Sequence, residues 1–386
     1  MAGLTPSSGS PLASVAADPL WKQYAKSFDE NWSQLDARQM SKVRAWTAKN
    51  IKDQSSVLFY MFSGPDYLYA DALMPAANTY VMSGLEPVGN VPDLRKLNSR
   101  ELDSALDELR RSMASLLNLS FFQTKLMSGE LKLDRIVGTT PILMVFLSRV
   151  GKTIYDVSFY DLASDGTLHS PEDKIKTTSH AVKITFSDSI GAPKKTLYYF
   201  STNVANTGVR SNGFLTFCDR LGVGDSLVKG ASYLMHLNDF SDVRNFLLAH
   251  SNMILQDDTG VPIRFLDSSW KLQPFGSYVG PIRMFARESQ PDMFKLFREQ
   301  KPGELNFEIG YRFSLGGSNL VLAVKDRSVA AAELTPSSTP ATKATPGSTS
   351  AKPQVAPTKG SKVGYRRRGE SKTAANAFPQ IFGYLP

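Results

Sequence analysis

The sequence has little cysteine and no long apolar run. Cys218 is the single cysteine among 386 residues, so no intramolecular disulfide and no cysteine-rich metal site can form within it. Because free cysteines are usually buried, Cys218 is interpreted as a core residue of a helix. The longest apolar run, residues 141–147, is much shorter than the roughly 18 residues of a membrane-spanning helix. The sequence therefore predicts no transmembrane segment.

Several motifs that would identify an enzyme class are also missing. The chain has no GxxxxGK[ST] phosphate loop, no GxGxxG after a predicted strand and no HExxH metal motif. The GxSxG elbow of many serine hydrolases is absent, and Ser63 has glycine on only one side. These absences leave a serine hydrolase without support.

Positive charge is concentrated at the end of the chain. The net charge is +8, but residues 328–386 hold eight Lys/Arg and two acids and so carry +6 of it. Residues 1–327 are nearly neutral, which argues against a nucleic-acid-binding face on the folded part.

Composition divides the chain into four parts. Residues 1–17 are small and polar and are predicted to be flexible. Residues 18–327 are predicted to form a single globular domain. Residues 328–377 are rich in Ala, Thr, Ser and Pro, which predicts a disordered basic linker. Residues 378–386 form an apolar tip.

The patterning of the domain predicts a mixed α/β (α+β) fold, with one mixed sheet flanked by helices. Residues 19–50 repeat aromatic residues at helical spacing, and this stripe is interpreted as core rather than as the lining of a ligand groove. Residues 57–87 read as strand, tight corner, helix and strand, which is a βαβ unit with a parallel pair of strands.

Further along, Asn98 and Glu101 predict a capping box at the start of a long helix. Residues 230–237 are predicted to be a strand that ends near His236. Residues 307–315 and 319–325 are predicted to pair as a hairpin through a Gly-Gly-Ser turn.

The corner of the βαβ unit is the first candidate site. Ser63, Gly64 and Asp66 follow its first strand, and Glu86 follows its second. Ligands bind at the carboxyl edge of open α/β sheets, where two acids can bind a divalent metal or act as acid and base. Asp66 and Glu86 are therefore candidate catalytic residues, with Ser63 and Gly64 as binding residues.

The corner has an equally physical alternative. Ser63 or Asp66 can cap the helix, Gly64 can permit the turn, and Pro65 can begin the helix. On that interpretation Glu86 is a surface carboxylate in a polar turn.

A second candidate cluster lies downstream. His236 is expected at a strand end, and Asp257 and Asp258 follow the strand "NMILQ", with Arg264 close behind. His and Asp at strand ends recur in hydrolases and metal sites, which makes His236 a candidate catalytic residue and the other three candidate binding residues. Against this, "QDDTG" is also a good turn sequence.

The tail offers a third candidate. Arg366, Arg367 and Arg368 precede an apolar tip that contains Phe382. A basic arm with an apolar end predicts docking on a protein or anionic partner, or on the domain itself; the alternative is a solvated tail without a role.

Three stretches carry a resemblance: "FSGPDYLYADALMP…TYVMSGLEPVG", "ASYLMH…LQDDTGVPIRF" and "GYRFSLGGSNLVLA". Over residues 20–324 the chain resembles a family of uncharacterised bacterial proteins that are often exported. The resemblance implies a single domain and a periplasmic or secreted location, but no activity and no catalytic residue. The first residues lack a signal peptide, which predicts a cytoplasmic protein unless a signal is missing from this sequence.

Two functions are predicted. The first is a soluble, cell-envelope-associated binding or interaction domain with a flexible basic tail. The second is a hydrolase-like enzyme with a carboxylate site at the strand ends around Asp66 and Glu86, with a divalent metal as its possible cofactor.

Overall fold

The structure is a computed structural model that describes residues 1–7, 9–119, 137–313 and 315–326. Met1–Asp326 form one compact unit, a single mixed α/β domain. The predicted linker at 328–377 and the predicted tip at 378–386 lie outside the described residues.

One mixed sheet of ten strands organises the domain, in the order β4-β3-β5-β6-β2-β1-β7-β8-β10-β9. The strands are β1 Val57–Tyr60, β2 Thr79–Gly84, β3 Thr153–Leu162, β4 Leu168–His169, β5 His180–Ser187, β6 Lys194–Ser201, β7 Gly224–Val228, β8 Ser251–Gln256, β9 Trp270–Gly276 and β10 Asn319–Lys325.

The middle of the sheet is parallel and its two sides are antiparallel. Strands β6, β2, β1, β7 and β8 run in one direction and place their carboxyl ends at one edge. On one side β5, β3 and β4 continue the sheet with antiparallel pairs, and on the other side β10 and β9 do so. The predicted mixed sheet with an N-terminal βαβ unit is confirmed.

Helices cover both faces of this sheet. They are α1 Ala13–Ala17, α2 Pro19–Leu35, α3 Ser41–Asn50, α4 Tyr67–Leu73, α5 Ser99–Leu119, α6 Thr140–Arg149, α7 Asn206–Val209, α8 Phe214–Arg220, α9 Ser241–His250 and α10 Pro291–Glu299. The capping box at the start of α5 is confirmed: Asn98 Oδ1 accepts from the Glu101 amide at 3.0 Å, and Glu101 Oε2 accepts from the Asn98 amide at 3.1 Å.

Alternation along the strands divides the core into two layers. Leu58 and Tyr60 of β1 pack in one layer with α2 to α6, whereas Val57 and Phe59 pack in the other with α8 and α9. The crossover from β1 to β2 through α4 therefore lies on one face, and the crossover from β7 to β8 through α9 lies on the opposite face. The chain reverses its winding between β1 and β7, which makes this position the topological switch point of the sheet.

The N-terminal helical region is continuous to Asn50, with a π-helical turn at Asp36–Met40 between α2 and α3. Trp21 and Phe28 of its aromatic stripe are buried in the core, as predicted. Trp32 is half-buried and also borders a cavity of about 590 Å³.

The flexibility predicted for residues 1–17 stays a prediction, but the structure gives this segment local structure and contacts. It contains α1, and its first residues contact the domain: Tyr24 donates to the Met1 carbonyl at 2.7 Å, and Arg149 Nε donates to the Ala2 carbonyl at 2.6 Å. The arginine and the tyrosine supply partners that composition alone does not show.

Two predicted strands are wrong. The strand after α8 is Gly224–Val228, so 230–237 is a loop that ends in a 3₁₀ turn at Leu234–His236. The predicted hairpin also fails, because 310–312 is a 3₁₀ turn and β10 pairs with β8 and β9 instead. Within the described residues, no helix is both long and apolar enough to cross a membrane.

Candidate functional site

The carboxyl ends of four parallel strands carry ionisable side chains. Asp66 follows β1, Glu86 follows β2, Lys229 follows β7 directly, and Asp257 follows β8 directly. All four residues are buried. Parallel pairing places them at the edge of the sheet where ligands bind in doubly wound folds.

At the switch point Asp66 and Lys229 form an ion pair. Lys229 Nζ lies 2.7 Å from Asp66 Oδ2, and both side chains are 0% exposed. Tyr60 donates its hydroxyl to the same oxygen at 2.8 Å, and the Tyr69 amide donates to Asp66 Oδ1 at 3.2 Å. The pair therefore joins the first strand of the βαβ unit to the strand on its other side.

Aromatic rings enclose this pair. Lys229 Nζ lies 4.2 Å from the centre of the Tyr69 ring, and Gln39 from the π-helical turn donates to the Tyr69 hydroxyl at 3.0 Å. Burial raises the pKa of Asp66 above its ordinary value, and the Lys229 ammonium acts in the opposite direction. Burial and the charge of Asp66 raise the pKa of Tyr60 well above its ordinary range, so Tyr60 remains a donor.

The corner "SGPD" combines the two predicted interpretations. Asp66 is the N-cap of α4, as its hydrogen bond to the Tyr69 amide shows. Gly64 has φ +53°, a conformation that favours glycine, and the amides of Ser63 and Gly64 both donate to the Ser83 carbonyl at 3.1 Å. Ser63 Oγ also bonds that carbonyl, at 3.3 Å. Capping and turning the chain are confirmed, and the ion pair with Lys229 is an addition to them.

Glu86 is buried, which corrects its alternative interpretation as a surface carboxylate. Its side chain is 2% exposed, and Tyr199 donates to its Oε2 at 3.2 Å and to its carbonyl at 3.1 Å. A Cβ on Gly84 would lie 2.2 Å from Glu86 Oε2, so the glycine provides the space for the carboxylate. Across the described ranges, no group of three or more His, Cys, Asp or Glu side chains is placed to hold a metal ion.

The loop after β7 is conformationally unusual. Gly230 has φ +59°, and Ser232 and Tyr233 have φ +51° and +56°, values that non-glycine residues rarely adopt. Such backbone costs about 1–3 kcal/mol per residue and clusters at functional sites. Tyr311 anchors the loop through a 2.6 Å hydrogen bond between its hydroxyl and Ser232 Oγ.

Asp257 lies under this loop. Its carboxylate accepts from the Gly230 amide at 2.8 Å, from the Thr259 amide at 2.9 Å and from Thr259 Oγ1 at 2.5 Å. Burial and the neighbouring Asp258 raise the pKa of Asp257 to about 6. A carboxyl group with such a pKa exchanges a proton near neutral pH.

Asp258 has different partners. Tyr233 donates to its Oδ2, and Asn319 Nδ2 lies 3.3 Å from its Oδ1. Burial raises its pKa, while the hydrogen bonds from Tyr233 and Asn319 lower it. The predicted turn interpretation of "QDDTG" is compatible with these contacts, since Gly260 donates to the Asp257 carbonyl at 3.1 Å.

His236 and Arg264 come together at a small open pocket next to this loop. The pocket has a volume of about 180 Å³, and both residues line it with Arg287, Glu288 and Asp292. Gln290 also lines the pocket, and its Nε2 donates to the Asp258 carbonyl at 2.7 Å. This hydrogen bond connects the pocket to the Asp257–Asp258 loop.

The imidazole of His236 is held neutral. Burial is the main cause that lowers its pKa, to about 4, and the charge of Arg264 acts in the same direction. Its Nδ1 lies 3.7 Å from Glu288 Oε2, and its buried Nε2 has no hydrogen-bond partner among the residues that the structure describes. His236 therefore lines the pocket with an uncharged imidazole ring at pH 7.

The sequence analysis did not identify Lys229 or Tyr60. Tyr60 stands in an apolar strand, where an aromatic residue indicates core. Lys229 stands at the end of "DSLVK", and a charged residue at the end of a short apolar run was the available signal. Comparisons with known proteins add no assignment: no family model, curated protein or solved structure matches the chain.

Proposed function

We propose that this domain binds a small polar ligand at the carboxyl ends of β1 and β7, where Asp66 and Lys229 exchange their mutual ion pair for contacts with the ligand. The observation that carries this proposal is the fully buried pair at the switch point of the sheet. It retains the predicted binding domain and gives it a site.

The position of the pair supports a ligand site. In doubly wound sheets the crossovers leave the sheet on opposite faces and open a crevice at the switch point. Here Asp66 and Lys229 stand at the two strand ends that border the switch point, and the loop that follows Lys229 carries two non-glycine residues with positive φ. Strained loops of this kind persist where the surrounding structure holds them, most often at ligand sites.

The cost of burying two charges supports the same proposal. Buried ion pairs are often no more stable than apolar residues of similar volume, since desolvation offsets the attraction. A pair that is 0% exposed on both sides therefore has no clear advantage for stability alone. Binding requires the loop after β7 to move, because both side chains are enclosed in this structure.

A thermal-shift experiment tests the proposal with a defined panel: acetate, inorganic phosphate, ethanolamine, L-alanine and glycerol. At about 100 times its dissociation constant a ligand stabilises by about 2.7 kcal/mol, which a melting curve resolves. We expect at least one compound to raise the Tm of the wild type and to lose this effect in Lys229→Met.

The matched control is Lys195→Met. Lys195 is also a buried lysine, with Asp188 Oδ2 at 2.9 Å and the Pro75 carbonyl at 2.9 Å, but its partners lie outside the site. The ligand response should survive in Lys195→Met. If no compound stabilises the wild type more than it stabilises Lys229→Met, the proposal is wrong.

A second candidate function is the predicted hydrolase-like activity, now centred on Asp257. The observation that favours it is the place of Asp257: it follows β8 at the carboxyl edge of the sheet and accepts from the Gly230 amide of the loop after β7 at 2.8 Å. The pKa of its carboxyl is raised to about 6, a value suited to general base catalysis. We expect any hydrolysis of p-nitrophenyl acetate or p-nitrophenyl phosphate to rise with pH through about 6 and to disappear in Asp257→Asn. Activity that is unchanged in Asp257→Asn, or equally lost in the surface variant Asp219→Asn, would exclude this role.

The predicted envelope location and tail docking stay predictions. Arg366, Arg367, Arg368 and Phe382 lie outside the described residues, so the contacts above neither use nor require them.

A further inference from the structure

We infer that the pocket lined by His236, Arg264, Arg287, Glu288 and Asp292 binds a small zwitterion of the amino-acid class. This site is separate from the Asp66–Lys229 pair, and the inference does not rest on the ligand proposed there. It uses two predicted residues, His236 and Arg264, and three that the sequence analysis did not identify.

Four charged side chains surround the pocket. Arg264 and Arg287 line it together with Glu288 and Asp292. In the part of the chain that the structure describes, neither arginine forms an ion pair, and the two acids form none with an arginine or lysine. Two cations and two anions therefore border one small space without neutralising each other.

The two positive and two negative side chains favour a ligand that carries both signs of charge. A simple dianion would meet two carboxylates as well as two guanidinium groups, and an apolar ligand would desolvate all four charges without compensation. A zwitterion satisfies both signs: its carboxylate pairs with the arginines, and its ammonium pairs with Glu288 and Asp292. Arginine is suited to this role because its planar fork binds a carboxylate through two parallel hydrogen bonds.

The pocket is small, and the His236 ring that lines it is uncharged at neutral pH. The volume of about 180 Å³ is below the roughly 300–1,000 Å³ of sites for drug-sized ligands, so the occupant is compact. His236 packs edge-on against Tyr233, with ring centres 5.1 Å apart, and presents an imidazole that adds no charge at neutral pH. A short side chain fits beside this ring.

Titration calorimetry on the full chain tests the inference with L-alanine, acetate, methylammonium and inorganic phosphate. We expect L-alanine to bind at least about tenfold more tightly than acetate or methylammonium, a difference of about 1.4 kcal/mol, because each of these lacks one of the two charges. We also expect Arg287→Met and Glu288→Gln each to weaken L-alanine binding by about tenfold or more. Phosphate should bind more weakly than L-alanine.

Control variants separate this site from others. Arg210→Met removes an arginine that pairs with Asp242, and neither of these residues lines the pocket, so the variant should leave L-alanine binding unchanged. L-alanine binding that is lost in Arg287→Met but kept in Lys229→Met supports this inference independently of the Asp66–Lys229 pair. Phosphate binding tighter than L-alanine binding, unchanged L-alanine binding in both pocket variants, or no L-alanine binding would each overturn it.

Discussion

Replacing Lys229 by methionine is expected to lower the free energy of unfolding by about 3–5 kcal/mol, as is typical when one partner of a buried ion pair is removed. The variant leaves the Asp66 carboxylate at the switch point with the Tyr60 hydroxyl and the Tyr69 amide as donors but without a cation. Methionine fills a similar volume, so the change isolates the charge rather than a cavity. Urea unfolding at constant pH measures this loss.

The loss should depend on pH with a defined sign. Burial already raises the pKa of Asp66 in the folded protein, and without the Lys229 ammonium it rises further. A carboxyl whose folded pKa exceeds its unfolded pKa favours folding at acid pH and loses that contribution as the pH rises. The deficit of Lys229→Met should therefore be smallest at acid pH and grow toward neutrality. A deficit that does not change with pH would contradict the account of this pair.

Wild-type stability is expected to fall by about 2 kcal/mol between about pH 4 and about pH 7 as Asp257 ionises. Burial raises the pKa of Asp257 from 3.8 to about 6, so the folded state binds the proton more tightly than the unfolded state. The contribution is complete below the unfolded pKa and is lost as the pH rises through the folded pKa. Urea unfolding across this range measures the decline.

Asp257→Asn should flatten this part of the pH dependence, because the amide does not titrate. The control is Asp103→Asn, which removes an exposed carboxylate on α5 and should retain the wild-type slope. An Asp257→Asn variant whose stability declines with pH as steeply as that of the wild type would show that another group is responsible. The protonation of Asp257 also bears on the loop after β7, since its carboxylate accepts a hydrogen bond from the Gly230 amide.

The βαβ unit could be predicted because its signals are local. An apolar run, a corner with glycine and proline, and a second apolar run predict the two strands, and Asp66 is one of two residues in the corner that could cap the helix between them. The sequence also placed Asp66 at the carboxyl edge of the sheet. The partner of Asp66 could not be predicted, because 163 positions separate it from Lys229 and their contact depends on which strand lies beside β1.

The prediction for the second cluster failed at one strand. Residues 230–237 are apolar enough to suggest a strand, but the sheet uses Gly224–Val228, whose two consecutive polar residues Asp225 and Ser226 are buried through tertiary contacts. Asp225, for example, accepts from Ser55 Oγ at 2.9 Å. The observed strand lies nearer the N-terminus than the predicted one, so the residue at the strand end is Lys229 and not His236. Lys229 could therefore not be predicted as a site residue.

The strand predicted at residues 307–315 is wrong for a different reason. Their aromatic and apolar residues favour a strand, yet Gly310 has φ +64° and lies against the Asp257 carboxylate, where a Cβ would come within 2.3 Å of Oδ2. Residues 310–312 therefore form a 3₁₀ turn next to Asp257 instead of extending the sheet. A positive φ required by a distant side chain leaves no local signal except the glycine itself.

The central claim is that the Asp66–Lys229 pair is kept for ligand binding rather than for stability, and the double variant Asp66→Asn/Lys229→Met tests it most directly. Asparagine retains an acceptor for the Tyr69 amide, and the two buried charges disappear together. The measurement is the Tm of the double variant, alone and with each compound of the panel. We predict a stability within about 1 kcal/mol of the wild type, as for other buried pairs replaced together, and no ligand response. A double variant that is less stable than both single variants, or that keeps the wild-type ligand response, would contradict the claim.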